Sequence, residues 1–256
     1  MKPAIYWVDK RGVKKVMRRL PYLENEGKFK DYAFDVFEKY FSKNRDKFEE
    51  YYNAISDANR KDLFLKIATL YKFLIKKCRI TTENIEDKDD KNFSVEYFDN
   101  TLKFVVLFSL IESLMRDEEF MSLHSYIKKK NKFSIDIKEF EIIKEEYFEK
   151  YGATRKVKKF FNEYLSEEDR KFIMSKIKLR KENFKEFEYE IGEIVSVLYD
   201  IRSKFMHNTD LILEFMKGTN LSKRNKKIVT SHLNMDELCE IFESGFVQFF
   251  NDAMQA

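Results

Sequence analysis

Leu198-Tyr199-Asp200-Ile201-Arg202-Ser203-Lys204-Phe205-Met206-His207-Asn208 is the stretch on which the reading of this chain turns. Upstream of it, Ile191, Ile194, Val195, Leu198 and Ile201 recur at helical spacing, so the segment reads as the C-terminal half of an amphipathic helix. That helix is expected to start near Phe184 or Phe187, with Asn208, Thr209 and Asp210 as end or restart signals just after His207. Its polar residues include a basic pair, Arg202 and Lys204, and one of only three histidines in 256 residues.

The same periodicity extends in both directions. Phe29, Tyr32, Ala33, Phe34, Val36, Phe37, Tyr40 and Phe41 outline one helix with a broad aromatic face. Such a face either stacks on unpaired bases or, more simply, forms core. Phe48, Tyr51, Tyr52 and Ile55 outline a second helix; Leu63 through Ile75 outline a third, with Asp57 or Asn59 as its cap. An apolar helix is expected from about Val95 to Met115, with Glu112 just past its most hydrophobic run. A carboxylate there is either solvated at the helix end or turned to face Arg202. Ser134 to Glu139 reads as a short strand or a helix start, and Thr154 as the cap of a helix reaching Tyr164. Ser166 with Glu167, Glu168 and Asp169 reads as a helix start, its body carrying Phe172, Ile173, Ile177 and Leu179. A last helix runs from Asp236 to Phe250.

Composition agrees with this. Only 6 Gly and 2 Pro disfavour all-β and Gly-rich dinucleotide-binding folds, while 26 Phe and 14 Tyr supply a core. The expectation is an all-α protein. Thr81 to Asn92 is acidic and nearly free of apolar residues, which suggests a helical N-terminal region over 1–92 and a helical bundle over 93–256. Residues 1–27 are basic, and Val13, Val16, Met17 and Leu20 are spaced for one helix face. This is either a solvated face or an arm that grips RNA.

The net charge of +4 is mild and implies no partner by itself. Cys78 and Cys239 stand in no ligand spacing, and neither CxxC nor HExxH occurs, so no metal or other cofactor is expected. Two ordinary thiols and no run of roughly 18 apolar residues suggest a cytoplasmic chain without a membrane partner.

The chemistry on offer is that of Arg202 and His207. A guanidinium fork grips two phosphate oxygens, and imidazole takes or gives a proton near neutral pH. RNA carries its own nucleophile, the 2′-OH, so strand cleavage needs a base, an acid and positive charge at the phosphorus. Five residues of helix turn through about 140° and rise about 7.5 Å, so the two residues do not share a narrow stripe; they could still converge, since arginine is long and His207 stands close to the expected helix end, where the backbone can turn. Two copies across a two-fold axis would supply two of each. Arg-x4–6-His by itself is a weak signal, with on the order of 0.4 chance pairs in a chain of this composition. Its plain alternative is a structural pair of basic residues at a helix end. His124 and His232 have no ligand-spaced partner and read as surface or loop residues.

Leu198 to His207 closely resembles the signature of HEPN domains, the helical ribonuclease superfamily with Arg-x4–6-His, and most of all its abortive-infection-type branch. Phe108-Ser109-Leu110-Ile111-Glu112-Ser113-Leu114 is similar to the apolar helix that carries a glutamate in such domains. The resemblance covers roughly residues 95–253. It implies a bundle of four or five helices and a homodimer whose paired motifs line one cleft. It also implies metal-independent endoribonuclease activity on RNA, in antiviral defence or beside an antitoxin or other defence-system partner. By the same resemblance Arg202 would hold the scissile phosphate and His207 would be the acid and base. Ser203, Glu112, Asp200 and Asn208 are the supporting polar residues. Ser203 stands where many members have Asn, Asp or His, and Thr209 where toxin members often have a tyrosine. The alternative is a non-catalytic HEPN-like module that binds RNA or a nucleotide.

Overall fold

A computed structural model describes residues 6–8, 14–16, 20–78, 88–115, 122–130, 136–208, 215, 218–224 and 227–255. The chain is mostly helical, with ten α-helices among the described residues, and it divides into two compact units, Met1–Thr69 and Leu70–Ala256. The division expected near residue 92 falls inside a helix, Lys88–Leu114. The acidic stretch before that helix lies largely outside the described residues.

In the first unit, β1 (Tyr6–Val8) pairs antiparallel with β2 (Lys14–Val16), so part of the basic N-terminal stretch is extended where a helix was expected. Met17 lies outside the described residues. Tyr6, Trp7 and Val8 are aromatic and β-branched, residue types that suit a pleated surface. Helix α1 (Glu26–Phe37) continues into a 3-10 turn, Glu38–Phe41, and is followed by α2 (Arg45–Ala54) and α3 (Ala58–Leu70). The Asn44 side chain caps α2 by accepting from the Asp46 and Lys47 amides, and Asp57 Oδ1 accepts the Arg60 amide at 2.8 Å. Phe37, Phe41, Phe48, Tyr52 and Phe64 are buried. All five aromatics are therefore core, among them Phe37 and Phe41 of the broad aromatic face, and are not a platform for bases.

The second unit begins with a π-helical segment, Tyr71–Lys77, whose last amide bond runs from Cys78 N to Phe73 O at 2.8 Å. Then come α4 (Lys88–Leu114), α5 (Leu123–Lys129), α6 (Ile137–Tyr151), α7 (Ala153–Glu163) and α8 (Glu167–Lys176). Asp136 caps α6, which settles Ile137 to Glu139 as a helix start; Ser134 lies outside the described residues. Ser166 caps α8 as expected, but α7 starts at Gly152 without a side-chain cap, so Thr154 does not have the capping role. The π segment, α7 and α10 (Met235–Gln255) pack against α4, and α7 lies along α9 (Ile191–Asn208). Phe104, Phe108, Phe160, Phe161, Phe215, Phe242 and Phe246 fill the space between them. A Cβ at Gly245 would come within 2.6 Å of the Phe160 ring, so only glycine lets α10 approach so closely there. No helix among the described residues is long and apolar enough to cross a membrane.

Two expectations fail between residues 177 and 190. Ile177 and Leu179 belong not to the body of α8 but to a strand, β3 (Ile177–Lys181), which joins β4 (Asn220–Arg224) and β5 (Lys227–Ser231) in an antiparallel sheet of order β3-β5-β4. Ile177 and Leu179 are buried while Lys178 is exposed and Arg180 half-buried, an alternation with period 2 that ends at exposed Lys181. The helix of the key segment starts at Ile191, later than expected; Phe184, one of the two expected starts, takes a left-handed φ of 60° that an α-helix does not hold.

A buried polar cluster ties the π segment to α10. The Glu243 carboxylate is 1% exposed; it accepts the Tyr71 hydroxyl at 2.6 Å and pairs with Lys76 at 2.7 Å. Burial, with the Glu243 charge, holds the Tyr71 phenol far above its ordinary range, and burial pushes the neighbouring Cys239 thiol up to about 11. Tyr71→Phe removes a hydrogen bond to a charged group and is expected to cost about 2 kcal/mol in urea unfolding. Cys78 is exposed and Cys239 buried. One thiol per native chain should therefore react with a disulfide reagent at pH 8, and the second only on unfolding.

Candidate functional site

Helix α9 buries Ile191, Ile194, Val195, Val197, Leu198 and Ile201. That apolar face fixes the rotation of the helix and so decides where its polar residues point. Tyr199, Arg202 and Met206 form one stripe at the edge of the buried face. Asp200, Ser203 and His207 form a second stripe, one residue on and about 100° around the helix. The helix stays regular through Asn208, so the backbone makes no turn that would bring His207 back over Arg202. The about 140° between them is real.

Arg202 sits at the junction with α4. Its Nη2 lies 3.5 Å from Glu112 Oε1, with side chains 18% and 23% exposed. Of the two readings of Glu112, the structure selects the carboxylate that faces Arg202. The guanidinium carbon lies 5.6 Å from the centre of the Tyr199 ring, and Nη1 donates to the Tyr199 hydroxyl at 3.5 Å. Both contacts are long, and among the described residues Arg202 Nε and Glu112 Oε1 are buried without a hydrogen-bond partner. A buried guanidinium donor without an acceptor is costly. Burial and the Glu112 charge raise the Tyr199 phenol above its ordinary range; the Arg202 charge works in the other direction.

His207 is exposed in the last turn of α9. Ser203 is half-buried on the same stripe. Asp200 is half-buried and pairs with Lys204 at 3.4 Å, so it neighbours neither Arg202 nor Glu112 in a shared ion pair. Asn208 is the last residue of α9. Of the other histidines, His124 is exposed on α5, and His232 is exposed just after β5 with Nδ1 3.2 Å from the Thr219 hydroxyl. The structure thus brings together Arg202 and Glu112 and leaves His207, Ser203 and Asp200 on a neighbouring surface.

Tyr199 is the residue that sequence reasoning missed. It was quoted as part of a pattern, yet its i, i+3 spacing to Arg202 is the signal that places an aromatic ring against the guanidinium. The Glu112 stripe of α4 has a further property. Phe98, Leu102, Val105, Ser109 and Glu112 lie on one line, and Phe98 and Leu102 are 47% and 44% exposed.

No protein-family profile, no curated protein and no solved structure matches this chain.

Glu112→Gln keeps the shape of the site and removes its negative charge. The Tyr199 phenol should then ionise at lower pH in a spectrophotometric titration. Stability in urea should fall by less than about 1 kcal/mol, as for a long, partly exposed pair.

Proposed function

We propose that this chain is a metal-independent endoribonuclease of HEPN type, working as a homodimer on RNA in a defence or toxin setting. The reading rests on the resemblance of Leu198 to His207 to the HEPN signature, and one structural observation carries it further. Arg202 is held on one side by Glu112 and Tyr199, while its buried Nε–H has no partner among the described residues. A phosphate oxygen is an acceptor of the right charge for that donor.

In this reading Arg202 binds the scissile phosphate and stabilises the charge that builds as the 2′-OH attacks. Glu112 orients the guanidinium, and His207 exchanges the protons. Because His207 lies on the stripe next to that of Arg202, the two residues of one chain address different directions. A second copy related by a two-fold axis brings its own His207 toward the first copy's Arg202. The exposed Phe98 and Leu102 on the Glu112 stripe, with exposed Met206 on the Arg202 stripe, supply apolar surface for that contact. An antitoxin or other defence-system partner belongs to this proposal through the resemblance alone.

The about 140° separation also favours a second reading, a non-catalytic module in which Arg202 holds the phosphate of an RNA or a nucleotide and His207 has no proton to move. Incubation with single-stranded RNA in EDTA separates the two. The nuclease reading expects cleavage, lost by a factor of about 10² or more in Arg202→Ala and in His207→Ala. Retained binding with no cleavage by any of them, in a folded protein, points to the module. Cleavage that survives His207→Ala removes the basis of the proposal.

A further inference from the structure

The three-stranded sheet breaks two local rules at the same end. Its strands carry Lys178, Arg180 and Lys181 on β3, Lys223 and Arg224 on β4 and Lys227 on β5, with no acidic residue in any of them. The register sets Lys181 opposite Lys227 and Lys227 opposite Arg224. Three positively charged residues therefore occupy one rung, and neighbouring strands about 4.8 Å apart place all three within about 10 Å. Like charges directly opposite each other destabilise a sheet. Beside this rung, the turn after β3 closes with Phe184 N donating to Lys181 O at 2.8 Å and Lys181 N to Lys185 O at 2.9 Å. Phe184 sits there at a φ of 60° with its side chain exposed; the residue is 60% accessible. A bulky aromatic in the left-handed region is a true outlier, and nothing in the core rewards it.

Acidic side chains answer only part of the charge. Arg180 pairs with Glu186 at 3.4 Å, Lys223 pairs with Glu182, and Glu188 and Glu190 are exposed further on. Among the described residues Lys181, Lys185 and Lys227 make no ion pair; Lys227 lies over the Phe187 ring at 5.5 Å. A row of cations without ion pairs ending in an exposed aromatic is the pairing that single-stranded nucleic acids use: phosphates along the cations and a base on the ring.

We propose that this end of the sheet is a docking surface for single-stranded RNA, with backbone phosphates on Lys181, Lys185 and Lys227 and one base stacked on Phe184. The proposal deepens the nuclease reading by giving its substrate a second point of attachment and a strandedness, and in that sense rests on it. A linear array of cations suits a linear polyanion. An anionic bilayer fits less well, because the other exposed apolar residue of the sheet, Leu221, stands three rungs back on the far edge strand and does not widen the Phe184 contact.

The test is fluorescence anisotropy with a labelled oligouridine, in EDTA and over a salt series, on the full chain carrying His207→Ala so that the RNA stays intact. Two sheet variants are added to it. Phe184→Gly removes the ring and relieves the strained φ, so folding is kept; Lys181→Gln/Lys185→Gln/Lys227→Gln removes the charges. Binding is expected to weaken about tenfold in Phe184→Gly with the salt slope unchanged. In the triple variant the slope should fall by about 2, from roughly 0.7 per lost phosphate contact. Unchanged affinity and slope in both variants overturn the proposal. So does blunt duplex RNA bound as tightly and as sensitively to Phe184→Gly, or sheet-dependent binding to phosphatidylserine vesicles in place of RNA. Cleavage assays on chains that retain His207 keep the two readings apart. Cleavage unaffected by the sheet variants sinks the docking surface and leaves the nuclease. Sheet-dependent binding without any cleavage by the chain that retains His207 does the reverse.

Discussion

Everything at the Arg202 site depends on the burial of one face of α9. Ile191, Ile194, Val195, Leu198 and Ile201 lock the helix against its neighbours, with Val157, Phe160 and Phe161 of α7 buried in the same unit. Rotation about the helix axis is then no longer free, since turning Arg202 outward would expose several large aliphatic side chains at about 2 kcal/mol each. The guanidinium is therefore kept beside α4, where Glu112 and Tyr199 engage it at distances too long to satisfy it fully. The same constraint sends His207 to solvent. One packing decision thus leaves a charged group incompletely paired beside α4 and separates it from the histidine five residues further on.

Two polar arrangements in the second unit answer opposite needs. Glu243 is sealed inside and met by Tyr71 and Lys76 at short distances, so its charge is compensated within the fold. Arg202 and the lysines at the end of the sheet are not compensated in this way. Buried groups without partners, like charges in one rung and an aromatic residue at positive φ each lower stability, and a chain that tolerates them gains something other than stability. That contrast separates Glu243, a structural group, from the surfaces proposed to meet RNA.

The helices were legible because their signals are local. Asp57 and Ser166 cap helices where the sequence places them, each accepting an amide three residues on, and apolar periodicity marks the bodies; the caps Asn44 and Asp136 were not read from the sequence, and Thr154 was read as a cap that it is not. The sheet was not legible. Ile177-Lys178-Leu179-Arg180-Lys181 offers only two apolar positions, too few to distinguish period 2 from the tail of a helix, and its pairing partner lies some fifty residues away. Phe184 escaped as well: a left-handed φ at phenylalanine has no sequence signature, and it rules Phe184 out as the first residue of α9.

The sequence by itself determined that the protein is helical, that its aromatics have a core to fill, and that Arg202 and His207 share one helix five residues apart. These follow from composition, periodicity and covalent spacing, which need no knowledge of the rest of the chain. Only the tertiary structure decided that Glu112 faces Arg202, that Tyr199 lies against the guanidinium, that His207 looks elsewhere, and that Lys181, Lys227 and Arg224 form one rung. Each of those depends on how a helix is rotated or how distant strands are registered, and both are set by what the apolar side chains bury rather than by the polar residues themselves.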